Sequence, residues 1–86
     1  MGLDAVTLVH DVETKFEIEI DDRDASKIVT VGDLLDLVWK VVQKSDNSIS
    51  RKTCDIRVIT IIHDSFGIKK SEITRTASFI NDLGID

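Results

Sequence analysis

Asp82-Leu83-Gly84-Ile85-Asp86 ends the chain, and Met1-Gly2-Leu3-Asp4-Ala5-Val6 begins it. When the last five residues are placed before the first six, the joined string reads as one motif divided between the two ends. We call this junction the seam. The seam predicts that the two ends of the chain lie close together in the fold and contribute to the same site.

Length and composition predict one small globular domain. The chain has 86 residues, of which 42% are hydrophobic, 31% are charged and 5% are aromatic, so aliphatic side chains must build the core. No apolar run approaches the roughly 20 residues that cross a bilayer, and the N-terminus lacks the pattern of a signal peptide. We therefore expect a cytoplasmic protein with no membrane partner.

The net charge of −5 is unevenly distributed. Residues 1–50 contain 11 acids and 5 bases, a net of −6, whereas residues 51–86 contain 5 acids and 6 bases, a net of +1. This balance disfavours nucleic acid as a partner, because phosphate binding needs a basic face. A basic protein surface is the natural complement, and the alternative is an acidic face that serves only solubility.

Apolar spacing predicts helices in the first half of the chain. A first helical stripe consists of Ala5, Leu8, Val9, Val12 and Phe16, widened by Leu3 and Val6. Residues 17–20 are expected to form an extended connector, and Asp21 or Asp22 can cap a short helix that runs through Ile28. Thr30 and Asp33 then approximate a capping box for a helix over residues 31–44.

The second half is predicted to contain a linker, a helix and a long loop. Residues 45–52 are polar and form the best linker candidate. Residues 54–66 are rich in β-branched side chains that would also suit a strand, but their apolar residues share a helical face and Gly67 follows as a stop, which favours a helix. The remaining loop is expected to hold one helical turn over residues 77–83, ended by Gly84.

These segments resemble the acyl carrier proteins in a circularly permuted order. Residues 57–86 resemble the first helix and first loop of that family, through Phe66-Gly67-Ile68, Glu72-Ile73-Thr74 and the run from Ala77 to Gly84. Residues 3–42 resemble the family's second, third and fourth helices. The resemblance implies an all-α, small four-helix bundle in which residues 1–44 correspond to helices II to IV, residues 45–52 to a linker, and residues 53–86 to helix I and its loop.

The resemblance also implies a function and its site. In the family, a serine within the seam motif carries 4'-phosphopantetheine for fatty-acid or polyketide biosynthesis, and an apolar space among the helices shelters the acyl chain. Gly2 occupies the position of this serine, with Asp86 and Leu3 beside it. Because Gly2 has no hydroxyl, we expect the scaffold to carry no cofactor. We also expect no enzymatic activity, because the sequence has no Gly-rich phosphate loop, nucleophile elbow or paired-carboxylate spacing. The acids expected to meet basic synthase or transferase surfaces are Asp4, Asp11 and Glu13.

Two other interpretations stay open. The chain could be a non-carrier acidic helical module that binds a protein partner, or an engineered permutant for folding studies. A monomer is expected, although two chains could complete each other by exchanging halves.

The other residues with reactive side chains are weaker candidates for a functional site. Ser65 offers a hydroxyl, but it is expected at a helix end rather than a helix start. The calcium-loop spacing over residues 22–33 lacks the required glycine and final glutamate. The dipeptides at His10 and His63 lack a third metal ligand, and Cys54 is expected to be a small buried hydrophobe.

Overall fold

The computed structural model describes residues 3–45 and 48–85. Within these residues it has four α-helices, α1 (Leu3–Phe16), α2 (Asp22–Ala25), α3 (Val31–Ser45) and α4 (Arg51–Phe66), followed by a 3₁₀ helix at Lys70–Glu72. The predicted all-α class with four helices is therefore confirmed. None of the helices in the described part is long and apolar enough to cross a membrane.

Helix α4 forms the centre of the core. It packs against both α1 and α3 and buries Val58, Ile61 and Ile62 along one face. The β-branched run is thus helical, as its amphipathic spacing predicted. Gly67 ends the helix in the left-handed conformation, with φ of 68°, and its N–H donates to the carbonyl of His63 at 2.8 Å. That conformation favours glycine, which has no Cβ to clash.

The predicted capping box at the start of α3 is confirmed. The Asp33 N–H donates to Thr30 Oγ1 at 3.2 Å, and the Asp33 carboxylate accepts from the N–H groups of Thr30 and Val29 at 3.1 and 3.0 Å. The first turn of a helix has N–H groups without intrahelical partners, and these bonds satisfy one of them. The N–H groups of Thr30 and Val29 lower the pKa of Asp33 below its ordinary value of 3.8.

This capping box predicts a specific dependence of stability on pH. Because the folded-state pKa of Asp33 is lowered, its contribution is complete above the ordinary value and disappears as the pH falls through the folded value. Asp33→Asn keeps an acceptor but has no charge to titrate. Urea unfolding at several pH values between about 6 and 2 should therefore show that acid lowers the free energy of unfolding less for Asp33→Asn than for the native chain. Equal losses would contradict this role for the Asp33 carboxylate.

Two predicted boundaries are wrong. Helix α2 ends at Ala25 rather than Ile28, and single turns with i to i−3 bonds continue the chain to Ile28. The linker is shorter than residues 45–52, because α3 includes Ser45 and α4 begins at Arg51. The single turn predicted near residues 77–83 is present, since the Asp82 N–H donates to the carbonyl of Ser78 at 3.0 Å with i to i−4 spacing, and Gly84 follows it with φ of 66°. The predicted N-cap at Asp21 is confirmed, since its carboxylate accepts from the N–H of Arg23.

Residues 17–20 form the expected connector, held by the end of α1. Glu17 adopts a positive φ of 56°, and the Ile18 N–H donates back to the carbonyl of Glu13 at 3.0 Å. The Glu13 carboxylate also accepts from the Ile20 N–H at 2.9 Å. These contacts direct the connector so that the side chain of Ile20 is buried in the core.

Candidate functional site

An apolar cavity of about 100 Å³ lies between α1, the start of α3 and two connecting segments. Nine of its ten lining residues are apolar, and the tenth is Ser78. The apolar lining residues are Ala5, Leu8, Val9, Ile28, Val29, Leu34, Phe79, Ile80 and Ile85. Among the described residues no titratable side chain lines the cavity, so this part of its surface suits an apolar group rather than an ion.

The cavity has a buried interior and an exposed mouth. Leu8, Leu34 and Ile85 are almost completely buried and form its inner walls. Val29 and Ile80 also line the cavity, but they are 60% and 64% exposed to solvent. Large apolar side chains that remain this exposed are informative when they border a concave apolar surface. They mark the side from which an apolar group could enter.

Ser78 is the polar residue of the lining, and its groups are engaged in a local turn. Its N–H donates to Asp82 Oδ2 at 2.7 Å, and its Oγ accepts from the Asn81 N–H at 3.1 Å. The geometry therefore favours a structural role in shaping the turn over a role as an activated nucleophile.

The position assigned to the prosthetic group is next to this cavity along the chain. Leu3 is the first residue of α1, and Ala5 and Leu8 of the same helix line the cavity. Gly2 and Asp86, the other two residues of the predicted attachment position, lie outside the described residues. Ile85, which precedes Asp86, is buried in the cavity wall. The described flanks of the seam, residues 3–9 and 78–85, thus meet at one site.

The three predicted partner-facing acids do not form one surface. At about 100° per residue, Asp4 and Asp11 lie within about 20° of each other around α1, whereas Glu13 lies roughly opposite Asp4. The buried stripe of Leu8, Val9 and Val12 separates the two sides. The acids therefore lie at opposite edges of the exposed side of α1, with Thr7 and Thr14 between them.

Two of these acids also have partners within the fold. Asp11 accepts from Ser65 Oγ at 3.1 Å, which joins α1 to the end of α4. Glu13 holds the Ile20 N–H, as described above. Asp4 is exposed in the first turn of α1, where a negative charge suits the positive end of the helix dipole. Of the three, Asp4 is the most available to a partner.

The remaining reactive residues have structural surroundings. Cys54 is fully buried, as predicted, and burial raises the pKa of its thiol. His63 Nδ1 lies 2.7 Å from the carbonyl of Ile68, and because a carbonyl only accepts, Nδ1 must carry the proton. Within residues 3–45 and 48–85, no group of three or more His, Cys, Asp or Glu residues is arranged to hold a metal ion.

Sequence reasoning missed an ion cluster around Asp36. Arg51 of α4 and Arg75 of the C-terminal segment both contact its carboxylate, and Arg51 also contacts Asp55. Arg51 and Arg75 lower the pKa of Asp36 below its usual range. The sequence did not indicate this cluster because α3, α4 and the C-terminal segment contribute residues that are far apart along the chain. Each of these charged residues alone is typical of a solvated surface.

Comparison with known proteins gives no independent support for a function of this site. No protein-family model matches the sequence, and no solved structure matches the fold. What the described residues establish is an all-α chain of four helices with an apolar cavity beside the start of α1.

Proposed function

We propose that this chain is an acyl carrier scaffold in circularly permuted order, which can shelter an acyl chain but cannot be loaded with one as written. The observation that carries the proposal is the apolar cavity, whose lining begins at Ala5, three residues after the position of the family serine. The four helices of the described residues, with the short one second, supply the number of helices that such a scaffold needs.

The cavity suits a short acyl chain by size and chemistry. Its volume of about 100 Å³ is somewhat below that of an engineered cavity of about 150 Å³ that binds benzene. Each methylene removed from water contributes about 0.8 kcal/mol, so a chain of six carbons gains about 4–5 kcal/mol before the costs of association. Without a covalent tether, binding is therefore expected to be millimolar or weaker.

The missing hydroxyl limits what the scaffold can do. Phosphopantetheine is attached through a phosphodiester to a serine oxygen, and Gly2 has no side-chain atom that could form this bond. Ser65 is no substitute, because it lies at the end of α4 and its hydroxyl donates to Asp11. The chain therefore keeps the apolar cavity of a carrier protein and lacks the residue to which the prosthetic group is attached.

The shelter can be tested with an untethered thioester. In methyl NMR spectra, S-hexanoyl-N-acetylcysteamine should shift the methyl signals of Leu8, Val9 and Leu34, and should leave Ile56 on the outer side of α4 unchanged. Ala5→Phe places a ring in the cavity and should abolish these shifts. Val6→Leu alters the neighbouring residue, which is 51% exposed, and should preserve them. Equal shifts at Ile56, or unchanged binding in Ala5→Phe, would refute the proposed shelter.

A second function is favoured by the combination of Gly2 with the net charge of −5. A scaffold that has lost its attachment residue can still present an acidic surface to a basic protein. In that case Asp4 and Asp11, which share one side of α1, are the residues expected to contact the partner. This function predicts that the thioester leaves the lining methyl signals unchanged.

A further inference from the structure

Residues 75–85, which we call the strap, cross the start of α3 and form one wall of the cavity. The Gly32 N–H donates to the carbonyl of Arg75 at 2.8 Å, and the Val31 N–H donates to the carbonyl of Ala77 at 3.0 Å. In return, the Phe79 N–H donates to the carbonyl of Val29 at 3.0 Å. The strap therefore satisfies two first-turn N–H groups of α3 that have no partner within the helix.

Gly32 allows the strap to lie this close. A Cβ atom at this position would be 2.9 Å from the Arg75 carbonyl oxygen, which is a backbone atom and can move away only if the strap moves. Gly32 itself is buried within α3. The absence of a side chain at residue 32 is thus a requirement of the contact between helix and strap.

An ion cluster on the protein surface also joins the strap to α3. One terminal nitrogen of Arg75 lies 3.0 Å from both carboxylate oxygens of Asp36, one turn along α3 from Gly32. Arg51 of α4 holds the same carboxylate. The side chains of Asp36 and Arg75 are each 56% exposed, so the attraction between them is screened by salt and is modest in size.

We infer that the strap opens as a local unit while the helices stay folded, and that the ion pair between Asp36 and Arg75 makes its opening less frequent. Opening removes Phe79, Ile80 and Ile85 from the cavity wall and so widens access to the cavity. The segment suits local opening because it contains turns and no regular helix, and because a few backbone bonds join it to α3. Burial of Ala77, Phe79 and Ile85 opposes the opening and accounts for most of its cost. The inference concerns motion of the cavity wall and holds whichever ligand the cavity takes.

Native-state hydrogen exchange of the whole chain tests this inference. The N–H groups of Gly32, Phe79 and Ile85, which bond to or within the strap, should exchange with little dependence on urea. The N–H of Ile62 in the core should exchange with the strong urea dependence of global unfolding. If the strap amides share the urea dependence of Ile62, the strap opens only on global unfolding and the inference is wrong.

Asp36→Asn tests the ion pair with little change of shape. It should accelerate exchange of the strap amides by about two- to fivefold, as expected for loss of an exposed ion pair. Asp64→Asn, a matched change at an exposed position of α4, should leave them unchanged. Raising the salt from low concentration to about 1 M should accelerate strap exchange in the native chain and not in Asp36→Asn. Equal rates in Asp36→Asn and Asp64→Asn, or equal salt effects in both, would overturn the role of this pair.

Discussion

Replacement of Ile62 by alanine is expected to lower the free energy of unfolding by about 2–5 kcal/mol, the range measured for large-to-alanine changes in protein cores. Ile62 is 0% exposed and lies on the face of α4 that packs against the rest of the core. Truncation removes buried methyl and methylene groups and leaves a cavity that the surrounding helices can fill only in part. A chain of this length has a total stability of roughly 4–13 kcal/mol, so the loss is a large fraction of it.

Ile56→Ala provides the matched control. It makes the same chemical change on the same helix, at a side chain that is 51% exposed. The loss of packing is smaller there, and alanine's higher helix propensity offsets part of it. Urea unfolding monitored by circular dichroism should show a large fall in the midpoint for Ile62→Ala and a change within about 0.5 kcal/mol for Ile56→Ala. Similar midpoints for the two variants would contradict the placement of α4 at the centre of the core.

The helices were predictable because their signals are local. Thr30 and Asp33 lie three residues apart and satisfy each other's backbone groups, so the start of α3 could be predicted without knowledge of the fold. The end of α4 was equally clear, since Gly67 supplies the left-handed residue that helix ends favour. For residues 54–66, helical spacing of the apolar side chains outweighed the strand preference of individual residues.

The strap and the cavity depend on contacts between distant parts of the chain. The single turn over residues 78–82 was predicted, but the bonds that the carbonyl of Ala77 and the N–H of Phe79 make with the segment around α3 were not. The mouth of the cavity combines Val29 with Ile80, which are about fifty positions apart in the sequence. Both are large apolar residues outside the predicted core-facing stripes, but nothing local indicated that they would meet.

The contacts of the acids on α1 were only partly predictable from the sequence. Their number was readable from the sequence, and simple helical geometry could have shown that Glu13 lies opposite Asp4. The bond from the Ile20 N–H to Glu13 depends on the path of the connector after Phe16. The hydroxyl of Ser65 reaches Asp11 only because α4 packs beside α1. Contacts of this kind require the assembled fold.

Gly2→Ser is expected to change the chain from one that cannot be modified to one that accepts a single phosphopantetheine group. The substitution restores the hydroxyl at the position where the resemblance places the family serine, directly before α1. It leaves the described core residues unchanged and adds one hydroxymethyl group, so the variant should unfold at the same urea concentration as the native chain. The competing hydroxyl of Ser65 serves as an internal control, because peptide mapping can distinguish the two positions.

The most direct measurement is the intact mass of both proteins after incubation with coenzyme A and a phosphopantetheinyl transferase of broad specificity. The account predicts an unchanged mass for the native chain. For Gly2→Ser it predicts a gain of one phosphopantetheine group, located on residue 2. A modified native chain, or an unmodified Gly2→Ser variant whose fold is intact, would contradict it.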